Sequence, residues 1–225
     1  AFSPARGRTS AFIAHRWRFA DTWTSELGWR TQYLGGTAGR QWLQDPRVAL
    51  RWQRDARTVW QLSWGWFHQA DEVQELRVED GISAFPAPQR SEQLVLGWSR
   101  LLGNGIHWRV EAFNKRQADP RPRFENSFNR RSILPELAPD RVRILPDYAE
   151  LRGIETSVDY RGLAWSGWLS VTLSRADDEF AGRHVPRSWD QTIGVSTGGR
   201  WTRGPWSAQA ALTGHRGFPT SRLGS

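Results

Sequence analysis

The residues of this 225-residue chain that could do chemistry are five histidines, one acidic run and a heavy load of arginine. Ser, His and Asp are the parts of a hydrolase triad. No Gly-x-Ser-x-Gly elbow is present, however, and His15, His68, His107, His184 and His215 fall in unrelated segments. The stretch "RADDEFAGRH" could gather Asp177, Asp178, Glu179 and His184 in one loop. No ligand spacing repeats there, so a solvated acidic loop is the plainer expectation. Cysteine is absent, which removes thiolate nucleophiles, disulfides and cysteine metal sites. These residues predict no catalytic set, no metal centre and no resident cofactor.

The basic side chains are almost all arginine, Lys115 being the one lysine, and the formal net charge is +8. They are spread through turns and connections and form no basic run or helix, so no nucleic-acid partner is expected. The densest group lies between residues 116 and 148, where Arg116, Arg121, Arg123, Arg130, Arg131, Arg141 and Arg143 accompany Phe124 and Phe128. Guanidinium forks suit carboxylate, phosphate or catecholate groups, and exposed aromatics add contact area. Arg121, Arg123, Phe124, Phe128, Arg130 and Arg131 are therefore the candidate ligand contacts.

The elements that must carry these residues are strands. In "TVWQLSWGWF" Trp60, Leu62, Trp64 and Trp66 alternate with Gln61, Ser63 and Gly65. A strand sends alternate side chains to opposite faces, so one face is bulky and apolar and the other small and polar. The same alternation runs through Trp23–Tyr33, Val48–Trp52, Leu94–Trp98, Ile106–Ala112, Ile154–Tyr160, Trp165–Leu173, Ile193–Thr197 and Trp206–Leu212. With the segment near Phe12–Phe19 this predicts about ten strands, long by soluble standards. Short links are expected at Ala20–Asp21, Arg54–Arg57, Leu101–Gly105, Arg161–Ala164 and Gly199–Pro205. Long ones are expected at Leu34–Arg47, Ala70–Arg90, Arg116–Tyr148 and Arg175–Ser188. Antiparallel neighbours joined this way put every short turn at one end and every long loop at the other.

That asymmetry, with Trp and Tyr near strand ends, predicts an all-β fold: an antiparallel transmembrane β-barrel of about ten meandering strands whose apolar face meets outer-membrane lipid. Arg30, Arg51, Arg109, Glu111, Glu155 and Asp159 should then project into the lumen and pair across neighbouring strands. A complete small outer-membrane barrel acting as pore or adhesin, and a soluble β-sandwich binding module, are the alternatives. With no methionine and no apolar leader in Ala1–Ser10, the chain reads as a mature protein or an internal piece of a longer one.

Several stretches resemble the barrel of TonB-dependent outer-membrane receptors: "PQRSEQLVLGW" leading into "WRVEAFNKR", then "RFENSF", "ELRGIETSVDYR", "WLSVTLSRADDEFAGRHVPRSWDQ" and "GHRGFPTS". On that pattern the family's barrel positions fall on Leu96–Gly97, Glu111–Phe113, Gly153–Glu155 and Pro186. The resemblance covers roughly residues 45 to 220, and residues 1 to 44 fit by strand pattern alone. It implies uptake across the bacterial outer membrane of a siderophore-like or other large nutrient, a small molecule or metal chelate. The TonB complex would act through a plug domain that these residues lack, and the lumen-facing charges would contact that plug. A family barrel has 22 strands, so residues 1–225 are expected to be a partial barrel domain, without plug or C-terminal closing strand. The pair "FRAP" and "NPNL" of many haem receptors is absent.

Overall fold

A computed structural model of the chain describes residues 6–36, 39–76, 78, 81–82, 84–126, 141–187 and 189–217. Thirteen strands are present among the described residues: β1 Arg6–Ala20, β2 Trp23–Gly36, β3 Gln41–Gln53, β4 Thr58–Gln69, β5 Gln89–Gly103, β6 Ile106–Ala118, β7 Arg123–Asn126, β8 Arg141–Ile144, β9 Tyr148–Arg161, β10 Trp165–Phe180, β11 Arg183–Pro186, β12 Ile193–Arg203 and β13 Trp206–His215. Ten form one antiparallel meander in the order β1-β2-β3-β4-β5-β6-β9-β10-β12-β13, with β11 folded back on β10 and β7–β8 as a separate ribbon.

The expected all-β antiparallel fold is therefore present, and the short and long connections segregate to opposite ends as the sequence suggested. The long connections are shorter than expected. Only residues 37–40 separate β2 from β3, and the supposed acidic loop is the top of β10 turning through Ala181 and Gly182 (φ 48° and 83°) into β11. Hydrophobic alternation stops where one face ceases to be apolar, but the backbone ladder does not need it and continues.

The short turns obey hairpin chemistry. Asn104 and Gly105 both take positive φ (51° and 76°), as a two-residue hairpin loop matched to strand twist requires. A Cβ on Gly105 would run into the Arg161 carbonyl, and the Gly105 carbonyl accepts from the Arg161 N–H at 2.9 Å. Gly105→Ala is expected to cost at least about 1–2 kcal/mol for its left-handed backbone alone, read as a lower urea midpoint of the full-length protein in lipid vesicles.

Register turns the sequence pattern into two surfaces. Leu50, Leu62, Leu96, Ala112, Ile154, Leu173 and Ile193 stand side by side across seven strands. Toward the short turns the same face carries aromatics. Trp23 stacks on Trp52 at 5.6 Å, Trp60 meets Trp98 at 6.4 Å, Trp98 meets Trp108 at 5.0 Å and Trp165 meets Trp201 at 6.3 Å. Toward the long loops a second group holds Tyr33 against Trp42 (5.0 Å) and Trp64 against Trp66 (5.8 Å). Leu62, Leu96 and Ile154 keep 44%, 46% and 51% of their surface exposed, so among the described residues no second layer covers this face of the sheet.

Buried side chains collect instead at the long-loop end, where Leu34, Ala70, Leu76, Phe85, Ala149 and Ala176 pack. Pro46 shapes one corner of it. Lacking an N–H it cannot serve the ladder, and β3 parts from β4 above Arg47↔Gly65. The buried Asp45 carboxylate takes the place of the ladder. It accepts from the His68 N–H (3.0 Å), from His68 Nδ1 (2.7 Å) and from Gln32 Nε2 (2.9 Å).

Candidate functional site: the long-loop end and the polar face

The long connections are tied together by guanidinium–carboxylate contacts. Arg121 follows β6 and reaches back to the 70–88 connection, where it pairs with Asp71 and, at 3.2 Å, with Glu75. With the Gln89 amide oxygen turned toward Arg121, it accepts from the Arg121 N–H at 2.8 Å and from Nε at 3.1 Å. Glu75 closes a 3-10 turn, Val73–Glu75, and accepts the Glu72 N–H at 2.8 Å. That backbone donor above all, with Arg121 helping and partial burial opposing, holds the Glu75 carboxyl below its ordinary 4.5. A carboxylate lowered in the folded state contributes stability that is present above its unfolded pKa and lost as pH falls through the folded one. Acidification below 4.5 should therefore loosen this turn. The expected sign is a falling hydrogen-exchange protection factor at Glu72, with Glu75→Gln showing little pH dependence.

The second tie is Asp178 on β10, 1% exposed. One oxygen meets Arg123 at the foot of β7, and the other accepts from Arg187 Nε at 2.8 Å. Its neighbours Asp177 and Glu179 are also buried, which replaces the solvated acidic loop expected from composition. Asp177 pairs with Arg175 at 2.7 Å, and Glu179 lies 3.1 Å from His184 Nδ1. Asp190 accepts the Ala176 N–H at 2.8 Å and the Ala176 carbonyl accepts the Arg187 N–H at 2.9 Å, docking Arg187 and Asp190 along the edge of β10. Three consecutive acids on a strand must alternate faces, so Asp178 points opposite to Asp177 and Glu179. The sequence carried that signal, hidden by the expectation of a loop. Among the described residues no cluster of three or more His, Cys, Asp or Glu could hold a metal ion.

Of the candidate ligand contacts, Arg121 and Arg123 are both engaged in these ties, and Phe124 lies half-buried on β7. Phe128, Arg130 and Arg131 lie outside the described residues. The six charged residues of the polar face are all on that face. Arg30 helps line a groove of about 560 Å³ with Phe12, Arg47 and Phe67, while Asp159 lines another of about 650 Å³ with Trp168 and Arg200. Arg51 stands between Thr24 and Gln61, and Arg109 between Ser99 and Ser157. Among the described residues the expected cross-strand ion pairs do not form. Glu111 stands directly opposite Glu155 instead, and Glu155 accepts from Ser170 Oγ at 3.2 Å.

Register also brings together positions far apart in the chain. Gly97 pairs with Glu111, and Phe113 with Gly153. A Cβ on Gly153 would lie 2.8 Å from Phe113 Cζ and collide with the Leu173 carbonyl, so the glycine is the seat on which the ring rests. Trp168 covers Gly198 in the same way, a Cβ there falling 2.9 Å from its Nε1. Aromatic cover over a strand glycine compensates for the missing side chain.

A single-layer antiparallel meander with one apolar face banded by aromatics, one polar face and its long connections at one end is a piece of a β-barrel wall. The chain belongs to the family of TonB-dependent receptor-like β-barrels, whose family model matches residues 1–222. A comparison with curated proteins found no significant match. Among solved structures the chain is similar to the copper transporter OprC, at 15% identity and TM-score 0.71 over 92% of this chain and 35% of that one. It is similar to the FrpB iron transporter from Neisseria meningitidis (12%, TM-score 0.65, 95% and 33%). It is also similar to the alcaligin outer-membrane receptor FauA from Bordetella pertussis (14%, TM-score 0.62, 93% and 37%). These likenesses concern the fold. The chain spans about a third of the length of the solved structures it matches.

Proposed function

We propose that this chain is wall and loops of a TonB-dependent receptor that imports a siderophore-like or other metal-chelate nutrient across the bacterial outer membrane. The observation carrying this reading is the banded apolar face. From Trp23 to Tyr33 on β2 is ten residue steps, or about 34 Å along the strand and about 26 Å along the normal at a tilt near 40°. That height suits an outer-membrane apolar band of roughly 25 Å flanked by aromatic girdles. The long-loop end then faces outside.

On this reading Arg121 and Arg123 set the base of the loop through their carboxylate partners. Phe124, with Phe128, Arg130 and Arg131 further along, supplies ligand contact. Arg30, Arg51, Arg109, Glu111, Glu155 and Asp159 face the lumen and the plug of the whole receptor, which would answer charges that have no ion-pair partner among the described residues. Wall and loops do no covalent chemistry; TonB, acting through the plug, opens the path.

The test is accumulation of radiolabelled iron or copper, offered as a panel of chelates, by cells carrying the full-length gene as their only receptor. Uptake of one chelate class that is abolished by loss of TonB is expected. Uptake that persists without TonB would overturn the reading.

A further inference from the structure

We propose that the polar face of β1–β4 binds an aromatic carboxylate carried by an entering solute, in the groove that Arg30 and Arg47 form between Phe12 and Phe67. The inference rests on the reading that this face lines the lumen of an uptake receptor, and it adds a station on the wall below the loops.

Register builds the groove. Arg30 stands between Phe12 and Asp45, and Arg47 stands between Gly28 and Gly65. The two arginines are therefore diagonal neighbours on adjacent strands, about 7–8 Å apart at the backbone. Gly65 decides where Arg47 goes. A Cβ there would lie 3.1 Å from Arg47 Cγ and 3.1 Å from the Pro46 carbonyl oxygen, so the glycine leaves the space that the Arg47 stem takes. The guanidinium is carried across β4 onto the Phe67 ring, 4.6 Å from its centroid. Stacking of this kind fixes the plane of a guanidinium and leaves its N–H edge for a carboxylate. Gly28, Ala14 and Ala49 put no long side chain into the groove, and the exposed Phe12 ring closes its far side. A space of about 560 Å³ with apolar walls and a few placed polar groups suits a small molecule.

The charges select an anion. Neither Arg30 nor Arg47 has an ion-pair partner among the described residues, and the acids beside them are committed. Glu26 accepts from Arg16 at 2.7 and 3.0 Å, and the Asp45 carboxylate is turned to His68 and Gln32. A carboxylate between the two guanidinium groups replaces their repulsion with charge-assisted hydrogen bonds. Its ring would lie against Phe12 and Phe67. Arg8, opposite Leu34, is four residues above the Arg30 row, and Arg51, opposite Thr24, is four below the Gly28 row on the same face. These are steps of about 14 Å. Arg8 and Arg51 also lack an ion-pair partner among the described residues. A line of separate cationic sites lets an anion enter and leave again, where one deep site would trap it.

The experiment titrates the full-length receptor, in an uncharged detergent, with para-fluorobenzoate and, as a cationic control, para-fluorobenzylamine. Fluorine NMR line widths report binding, and urea midpoints report folding. The natural protein should broaden the benzoate line saturably and leave the benzylamine line sharp. Arg30→Gln/Arg47→Gln should bind the benzoate about tenfold or more weakly, and Arg30→Lys/Arg47→Lys should keep part of the affinity. Phe67→Leu keeps both charges and should weaken the benzoate several-fold, which decides the matter should the glutamine pair not fold. Equal benzoate binding by the natural protein and either the glutamine pair or Phe67→Leu would overturn the proposal. So would the lack of saturable binding to the natural protein, which would mean that the plug fills the groove. Uptake that persists without TonB would remove the receptor reading and leave the binding result standing, so the two failures are distinguishable.

Discussion

Leu96→Arg is expected to destabilise the receptor in lipid by about 2–4 kcal/mol, the cost of arginine near the middle of an outer-membrane barrel's lipid face. Leu96 stands between Leu62 and Ala112 in the apolar row, with Leu94 and then Glu92 above it and Trp98 and then Arg100 below it on the same face. Its nearest charged neighbours on that face, Glu92 and Arg100, are four residues away in either direction, far enough that snorkelling relieves only part of the cost. Ser63→Arg is the matched control. Ser63 lies on β4 one residue from Leu62, but on the polar face between Ala49 and Val95. There a guanidinium reaches water and should change stability by less than about 0.5 kcal/mol. Urea unfolding of both variants in vesicles reads the difference. If the two changes cost the same, the assignment of faces is wrong. The same measurement on Trp64→Arg should give a smaller loss than Leu96→Arg, because Trp64 sits close to the polar rim with its Nε1 on Glu92.

Asp178→Ala should cost about 3–5 kcal/mol, because it removes the carboxylate that Arg123 and Arg187 share at a site from which water is excluded. Arg123 and Arg187 reach Asp178 from segments on either side of it in sequence, one at the foot of β7 and one after β11. Without the carboxylate their repulsion should free the β11 hairpin and the β7 strand from the top of β10. Hydrogen exchange is the direct readout: amides of β11, Arg187 and Asp190 should lose protection, while those of β5 and β6 at mid-height should not. The triple change Arg123→Met/Asp178→Leu/Arg187→Met should recover much of the loss, since apolar replacement of a whole buried ionic cluster is often neutral or better. If Asp178→Ala leaves the hairpin protected, the cluster is incidental to the loop architecture.

Much of the architecture was legible in the sequence, because alternation records which solvent each side of a strand meets. Trp60, Leu62, Trp64 and Trp66 against Gln61, Ser63 and Gly65 define two faces without reference to any partner strand. Turn residues such as Asn104–Gly105 mark where the chain reverses. The ten strands of the main meander, which side chains share a face and the segregation of long from short connections followed from those local signals, while β7, β8 and β11 did not.

What local signals could not reach was everything that depends on register and on contacts above the apolar band. The upper part of β10 is mostly polar on both sides, the top of β2 ends in Gly35–Gly36, and Trp42 and Leu43 on β3 are consecutive apolar residues, so these stretches carry no alternation and looked like loops. Asp178 reads as one of three acids in a run. Only the fold brings Arg123 and Arg187 to it, and only burial makes the pairing obligatory. Phe113 over Gly153 joins residues 40 positions apart, and Glu111 opposite Glu155 is a like-charge pair where the faces alone suggested mutual neutralisation. The sequence by itself determined which side chains share a face, since that is a property of one strand. The tertiary structure decided which of them meet, because antiparallel register is set by turns and bulges far from the residues it pairs.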